Sequence, residues 1–345
     1  MLDFNDPPVF RLPPFQVRRQ MTALSETIDW GLQAFGVPQV WAKTRGGGVR
    51  VAVLDTGIDA NHPDLKGAVV AMRDFSGSLE GAVDRQGHGT HVAGTIAARQ
   101  NQQGVVGVAP QCQLLVGKVL GDDGAGSEQS VAAGIHWAVS QRADIISMSL
   151  GSSRASRRIG EAVEAANRAG VFLITAAGNE GRPDSINFPA RRRETIAVAA
   201  TNRSGQATSF SSRGPQVDIA APGEDILSTW PGGRYARLSG TSMATPFVSG
   251  VVALLLAAER RPRAPALRDV KWLREQLART AVDAGPPGKD NALGWGLIDP
   301  GTLLASEKDR PASRLPKLSV DVVVNGLPAS LVLTDRPSAK EPRAR

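Results

Sequence analysis

Short apolar, β-branched runs alternate with helical stretches from residue 49 onward, and this alternation most narrows what the chain can fold into. Residues 49–54 read as a buried strand that ends at Asp55-Thr56-Gly57, since a continuous apolar run of that length bounded by a turn signal fits a strand covered on both faces. Further strands are expected over 114–120, 144–149, 171–175, 195–200, 217–220 and 226–229. Between them, small apolar residues over 89–98 suit a tightly packed helix, 127–141 and 270–281 read as amphipathic helices, 158–169 as a helix stopped by Gly170, and 241–258 as a long apolar helix. Strands and helices in this rhythm imply a three-layer α/β fold, a mostly parallel sheet with helices on both faces. Ligands of such sheets sit beyond the carboxyl ends of the strands. Asp55 and the Gly178-Asn179 turn both fall at such ends.

The chain divides into a Pro-rich, irregular stretch over 1–24, a body over 25–309 and a C-terminal extension over 310–345. Within the extension, Asn325-Gly326 between two apolar runs is a hairpin signal, Pro328 confines the second strand to an edge, and the last residues read as frayed. With 41% hydrophobic and 21% charged residues the body is of globular composition. The 37 glycines fit a fold with many tight turns.

The formal charge of +7 is spread over scattered arginines, apart from Arg157-Arg158 and Arg191-Arg192-Arg193. No aromatic-interleaved basic stripe accompanies them, so the charge reads as solvated surface and no nucleic-acid partner is expected. No uninterrupted apolar run approaches 18 residues, so no membrane span is expected. The N-terminus lacks the charged and apolar regions of a secretory signal, which points to the cytoplasm, or to secretion if a leader has been removed. The single cysteine, Cys112, lies in a strand-like run and reads as a small core residue.

Four residues stand where serine-based acyl transfer needs them: a nucleophilic hydroxyl, a base, a carboxylate to orient it, and donors for an oxyanion. Ser242, in Gly-Thr-Ser-Met-Ala-Thr-Pro, opens the long apolar helix, where its hydroxyl and the helix N-terminus face one spot; it also suits an ordinary N-cap. His88 is flanked by Gly87 and Gly89, which let its ring reach into a cleft. His91, three positions on, does not make a zinc pair with it, because metalloprotease helices space their histidines i,i+4 around a Glu; it reads as a packed structural histidine. Asp55 sits at a strand tip, where an ordinary turn Asp would also sit, and Asp59 is the rival carboxylate beyond the turn. Asn179 offers a side-chain amide to an oxyanion, although Asn also favours such turns for their left-handed backbone.

These segments, in the order Asp55, His88, Asn179, Ser242, together with Ser149-Leu150-Gly151, residues 210–215 (Phe-Ser-Ser-Arg-Gly-Pro) and Ala221-Pro222-Gly223, resemble the subtilisin family of serine proteases over about residues 30–305. The resemblance implies a serine endopeptidase acting through an acyl-enzyme, with Asp55 holding His88, His88 taking the proton of Ser242, and Asn179 with the Ser242 N–H binding the oxyanion. A catalytically silent binding module of the same fold, or an esterase or short-peptide hydrolase, remains the alternative. The resemblance further implies that extended polypeptide substrates pair with Ser149, Leu150 and Gly151, that Ala176, Ala177 and Gly178 wall the pocket for the residue preceding the scissile bond, and that Asn187 lies near its floor, where many relatives carry a small residue.

Residues 144–151 and 176–181 most resemble intracellular subtilisins, whose short N-terminal extension covers the active site with a Leu-Ile-Pro-Tyr-like motif. Leu12, Pro13, Pro14 and Phe15 are similar to that motif, a proline at the scissile position resisting attack; a disordered Pro-rich tail is the other reading. By the same resemblance, homodimerisation and structural calcium are expected. The calcium ligands would be Asp64, the Asn101 side chain and the carbonyls of Arg99, Gln103 and Val105, with Glu26 as a further oxygen and Asp218 at a weaker cation site. This chain departs from the subgroup in being basic where those enzymes are acidic, and the resemblance leaves the C-terminal hairpin unaccounted for.

Overall fold

The computed structural model describes residues 7–22, 25–259 and 269–305, and the strand residues 319–324 and 327–332. In chain order the elements begin β1 (Val9–Arg11), β2 (Gln16–Met21), α1 (Trp30–Ala34), α2 (Val37–Val40), β3 (Arg50–Asp55), β4 (Val69–Asp74), α3 (His88–Ala97), β5 (Gln113–Lys118), β6 (Ala125–Ser127) and α4 (Glu128–Ser140). They continue with β7 (Ile145–Met148), α5 (Arg157–Arg168), β8 (Phe172–Ala176), β9 (Thr195–Thr201), β10 (Val217–Pro222), β11 (Ile226–Trp230), β12 (Arg234–Ser239), α6 (Thr241–Ala258), α7 (Val270–Thr280) and α8 (Pro300–Leu303). Strands β13 (Ser319–Val324) and β14 (Leu327–Val332) pair antiparallel in a separate compact unit over 312–345. Their Asn325-Gly326 tip and the last residues lie outside the described residues.

Seven strands form one parallel sheet in the order β10-β9-β8-β7-β3-β5-β4. Apart from the exposed edge strand β4, its strands are apolar on both sides because both faces are covered. Val51, Val53, Leu114, Val116, Ile174 and Val198 join one core with α3, α6 and α7, while Ala52, Leu54, Leu115, Ile146 and Leu173 join the other with α4 and α5. Period-two alternation along each strand thus feeds two helix layers. The chain runs from β3 outward to the β4 edge, returns through β5, and crosses to β7 on the other side of β3. That reversal opens a crevice at the carboxyl ends of β3 and β7, where Asp55 and the segment after Met148 emerge.

Helix starts follow local chemistry. Ser127 Oγ accepts the Ser130 N–H (3.1 Å) at α4, Ser156 Oγ accepts the Ile159 N–H (3.2 Å) at α5, and the Asp269 carboxylate accepts the Trp272 N–H (2.9 Å) at α7. Helix α6 differs. Its N-cap, Gly240, makes no side-chain cap bond, so no cap competes for the amide of Ser242. Among the described residues α6 is also the one helix long and apolar enough to cross a membrane, and it is instead buried inside the domain.

The N-terminal stretch is not irregular. Residues 9–11 pair antiparallel with β6, and residues 16–21 add a third strand to the β11–β12 hairpin. The sequence of β2, Gln-Val-Arg-Arg-Gln-Met, has no buried face; it is a strand because β12 offers it a free edge.

Candidate active site

Asp55 ends β3 fully buried, and its Oδ1 accepts the Thr56 N–H and a bond from His88 Nδ1, each at 2.8 Å. A carboxylate only accepts, so Nδ1 carries the proton and Nε2 of the neutral ring is left as a base. The residue following each partner is tied to the other element: Thr56 Oγ1 accepts the Gly89 N–H (2.9 Å) and donates to buried Asp84 (2.9 Å). Asp84 also accepts the Gly87 and Thr90 N–H groups, both at 2.8 Å, clamping the start of α3. Gly89 is required there, since a Cβ would lie 2.2 Å from the Gly57 carbonyl oxygen.

Ser242 lies in the first turn of α6, fully buried, with its hydroxyl 3.4 Å from the Ser149 carbonyl oxygen. His88 Nε2 is buried with no hydrogen-bond partner among the described residues, and the ring of Phe15 packs 5.0 Å from the His88 ring. The Asp55–His88 half of the arrangement is made; the His88–Ser242 bond is not. Asn179 is oriented by Thr241, whose N–H and hydroxyl both donate to its Oδ1 at 2.9 and 2.8 Å. That turns Asn179 Nδ2 outward, where it donates to the Pro14 carbonyl at 2.7 Å. A Cβ on Gly240 would lie 3.0 Å from Asn179 Nδ2 and 3.7 Å from the Ser242 nitrogen, so glycine keeps the ground between these two donors clear.

The N-terminal segment runs across this crevice. Arg11 exchanges both backbone hydrogen bonds with Gly151 at 3.0 Å, and the Leu12 N–H donates to the Gly124 carbonyl (3.2 Å). Pro13 is buried, Leu12 and Phe15 are half-buried, and Pro14 is exposed on its outer side. Phe10, which sequence reasoning did not single out, is 0% exposed and sits edge-on to Phe188 within the α4/α5 core.

Beside Gly151, the Asn187 N–H donates to the Ala177 carbonyl (2.9 Å), and Ser152 and Phe188 exchange backbone bonds at 2.9 and 2.8 Å. Asn187 Nδ2 donates to Glu180 Oε1 (3.0 Å), and Ser212 donates its hydroxyl to the other Glu180 oxygen. Thus Ser149–Gly151, Ala176–Gly178 and Asn187 are brought together. Glu180 and Ser212 also belong to the group, although only their neighbours in the quoted motifs pointed to them.

His91 is fully buried, its Nε2 set between the Ile226 and Ala236 carbonyls at 3.0 and 3.1 Å. Burial first, then the neighbouring His88, pushes its pKa down to about 3. Burial pushes the Cys112 thiol up to about 12, which keeps it an unreactive core group.

Of the expected cation ligands, Asp64 is fully buried and among the described residues its carboxylate meets only neutral donors: the Val105 N–H (2.8 Å), Asn101 Nδ2 (3.0 Å) and the Tyr235 hydroxyl. Asn101 Oδ1 accepts the Gln103 N–H (3.2 Å), and Glu26 accepts the Gln102 N–H (2.7 Å). The Arg99 N–H donates to the Asp64 carbonyl (2.7 Å). A buried carboxylate without a cationic side chain, amid amide and carbonyl oxygens, fits a hard cation in donor chemistry, although among the described residues no three His, Cys, Asp or Glu side chains converge. At the weaker expected site the protein itself engages the carboxylate. Asp218 Oδ1 accepts from the Arg274 guanidinium (2.7 Å) and Oδ2 from the Ala197 N–H (3.0 Å), so an arginine already supplies the positive charge expected there from a metal.

A parallel α/β sheet with an Asp–His pair at its switch point and a serine at a neighbouring helix start defines a class, the subtilisin-like serine hydrolases. The chain belongs to the subtilase family, whose model matches residues 46–296. It is 49% identical over 250 residues to an "Intracellular serine protease" of Paenibacillus polymyxa, covering 70% of this chain and 76% of that one. It is 41% identical over 280 residues to the "Major intracellular serine protease" of Bacillus subtilis, covering 78% and 88% respectively. It is 46% identical over 279 residues to a "Thermostable alkaline protease" of Halalkalibacterium halodurans, covering 81% and 74%. The chain is a subtilisin-like serine endopeptidase, and its substrates are polypeptides.

Proposed function

We propose that Asp55, His88, Ser242 and Asn179 carry this endopeptidase's chemistry, and that residues 9–21 hold it shut by lying in its cleft as a resistant substrate. With the segment displaced, the Ser242 side chain turns from the Ser149 carbonyl toward His88 Nε2, which takes its proton as Oγ attacks the scissile carbonyl carbon. Asn179 Nδ2 and the Ser242 N–H receive the negative oxygen, and the N-terminal end of α6 favours that charge. The C–N bond then breaks, the amine leaves with the proton from His88, and an acyl-serine ester remains. Water, deprotonated by the same nitrogen, releases the acid and restores Ser242.

One observation carries the inhibitory reading: the carbonyl that Asn179 Nδ2 holds at 2.7 Å belongs to Pro14 of the chain itself. Pro14 lacks the N–H a substrate would use to pair with the cleft edge, and its ring fixes φ. Phe15 against His88 keeps the base from the nucleophile.

Subtilases in general bind calcium. Here Asp64, the Asn101 side-chain oxygen after a flip of its amide, and the carbonyls of Arg99, Gln103 and Val105 are the residues suited to hold it. The ion would brace the loop between α3 and β5 and take no part in the chemistry. The names of two relatives, both intracellular serine proteases, support a cytoplasmic setting, and a lone buried cysteine is compatible with it.

The test is fluorophosphonate labelling of the chain before and after removal of residues 1–24. Labelling of Ser242 only after removal is expected. Equal labelling of both forms refutes the inhibitory role, and no labelling of either refutes Ser242 as nucleophile.

A further inference from the structure

We infer that Asn187 makes this protease select a small residue before the scissile bond, disfavouring the large apolar side chains that an open pocket would admit. The inference rests on the reading that Ser149–Gly151 and Ala176–Gly178 wall that pocket.

Asn187 is pinned between the two walls. Its N–H is bonded to Ala177, and the following residue, Phe188, exchanges both backbone bonds with Ser152. Its side chain crosses the gap. A Cβ built on Gly151 would lie 2.8 Å from Asn187 Cβ, and one built on Gly178 would lie 2.7 Å from Asn187 Nδ2. The same side chain therefore touches the inner face of both glycines, and the depth between them is filled. With Asn187 set against both glycines, the space left beside it suits a small side chain such as alanine.

The side chain does not swing aside freely. Asn187 is 7% exposed, and its amide donates to Glu180, whose other oxygen takes the Ser212 hydroxyl. A Phe or Leu entering the pocket has to break a hydrogen bond to a carboxylate and leave a buried amide unpaired, which is costlier than the loss of an ordinary contact. An alanine leaves the network intact. The residue that the chain itself presents to Asn179 is consistent with this: it is Pro14, a compact ring.

Glu180 offers a competing chemistry, since a carboxylate at the pocket rim attracts lysine or arginine. The bonds to Asn187 and Ser212 engage both of its oxygens, which favours a held network over a receptor for a charged side chain.

The experiment compares kcat/KM for peptide p-nitroanilides that differ only in the residue before the scissile bond: Ala, Phe, Leu or Lys. All are measured on one preparation of the full chain, so the active fraction, and with it any inhibition by residues 9–21, cancels in the ratio. Alanine over phenylalanine by about 10–200-fold is expected, the range that one or two pocket methylenes are worth. Asn187→Gly should move the Phe/Ala ratio back by a similar factor, and Asn187→Ser by less. Phe or Leu equal to or better than Ala in the unaltered chain overturns the proposal, as does a ratio unmoved in both variants. A preference for Lys overturns it in favour of Glu180. Should either variant fail to fold, the ratio in the unaltered chain decides alone. Hydrolysis of none of the peptides after removal of residues 1–24 speaks against the protease reading itself.

Discussion

Replacing Phe10 by alanine should switch this enzyme on without touching a catalytic group. Phe10 is 0% exposed and packs in the α4/α5 core against Phe188, yet it belongs to the three-residue strand β1. A buried Phe→Ala change costs about 3–5 kcal/mol. Strand β1 is held by its three-residue pairing with β6 and by the Arg11–Gly151 bonds, so undocking of the N-terminal segment absorbs that loss before the body unfolds. Each 1.4 kcal/mol is a factor of ten, so the open population rises by about 10² to 4 × 10³-fold, up to the ceiling set by the chain lacking residues 1–24. The assay is the initial rate on a chromogenic peptide, with intact mass checked over the same interval so that only uncut chains are scored. Melting of the body, followed with Ser242→Ala added, should move far less than the loss at Phe10. An intact Phe10→Ala chain no faster than the unaltered one, beside a fast trimmed enzyme, would falsify Phe10 as the anchor.

In the trimmed enzyme, Asn179→Ala should lower kcat by about 10²–10³ with KM little changed, a magnitude known for this donor in the subtilisin family and carried over here. Thr241→Val removes the hydroxyl that helps aim Asn179 and should lower kcat by about 3–10-fold, one net hydrogen bond; an unchanged kcat rejects its aiming role. His91 holds its folded pKa near 3 against an ordinary 6.5, so protons favour the unfolded chain. Stability is then complete above pH 6.5 and falls as pH drops toward 3, by up to about 1.4 kcal/mol per unit from this group. Urea unfolding across that range, with Ser242→Ala as background, should lose that slope in His91→Gln. If Asp64 and Asn101 hold calcium, chelation with EDTA lowers Tm and added Ca²⁺ restores it, by about 2.7 kcal/mol at a hundredfold excess over Kd; Asp64→Asn should abolish the response.

The residues proposed for catalysis were legible because each stands where one kind of periodicity gives way to another. Asp55 closes a strand of apolar residues, and His88 and Ser242 open helices whose small side chains advertise close packing. The pairings that complete the site were not legible, because they join residues far apart in the chain. Nothing near Asp218 announces that Arg274 will reach its carboxylate, and nothing near Asn187 announces Ser212 beyond Glu180. Strand β2 carries no apolar alternation at all; only the free edge of β12 makes it a strand. Phe10 reads as one apolar residue in a Pro-rich stretch until β6 shows which core it enters.

The two edges that hold the N-terminal segment, β6 with Gly151 on one side of Ser242 and β12 on the other, have a consequence once that segment leaves. Both become rows of unpaired amides and carbonyls, which recognise backbone and are indifferent to most side chains. A folded protein seldom has a free strand long enough to enter such a slot, whereas a misfolded or partly unwound chain has many. On the proposed reading, opening the cleft would make the enzyme a reader of disorder, and well-folded proteins would be spared by their own hydrogen bonds.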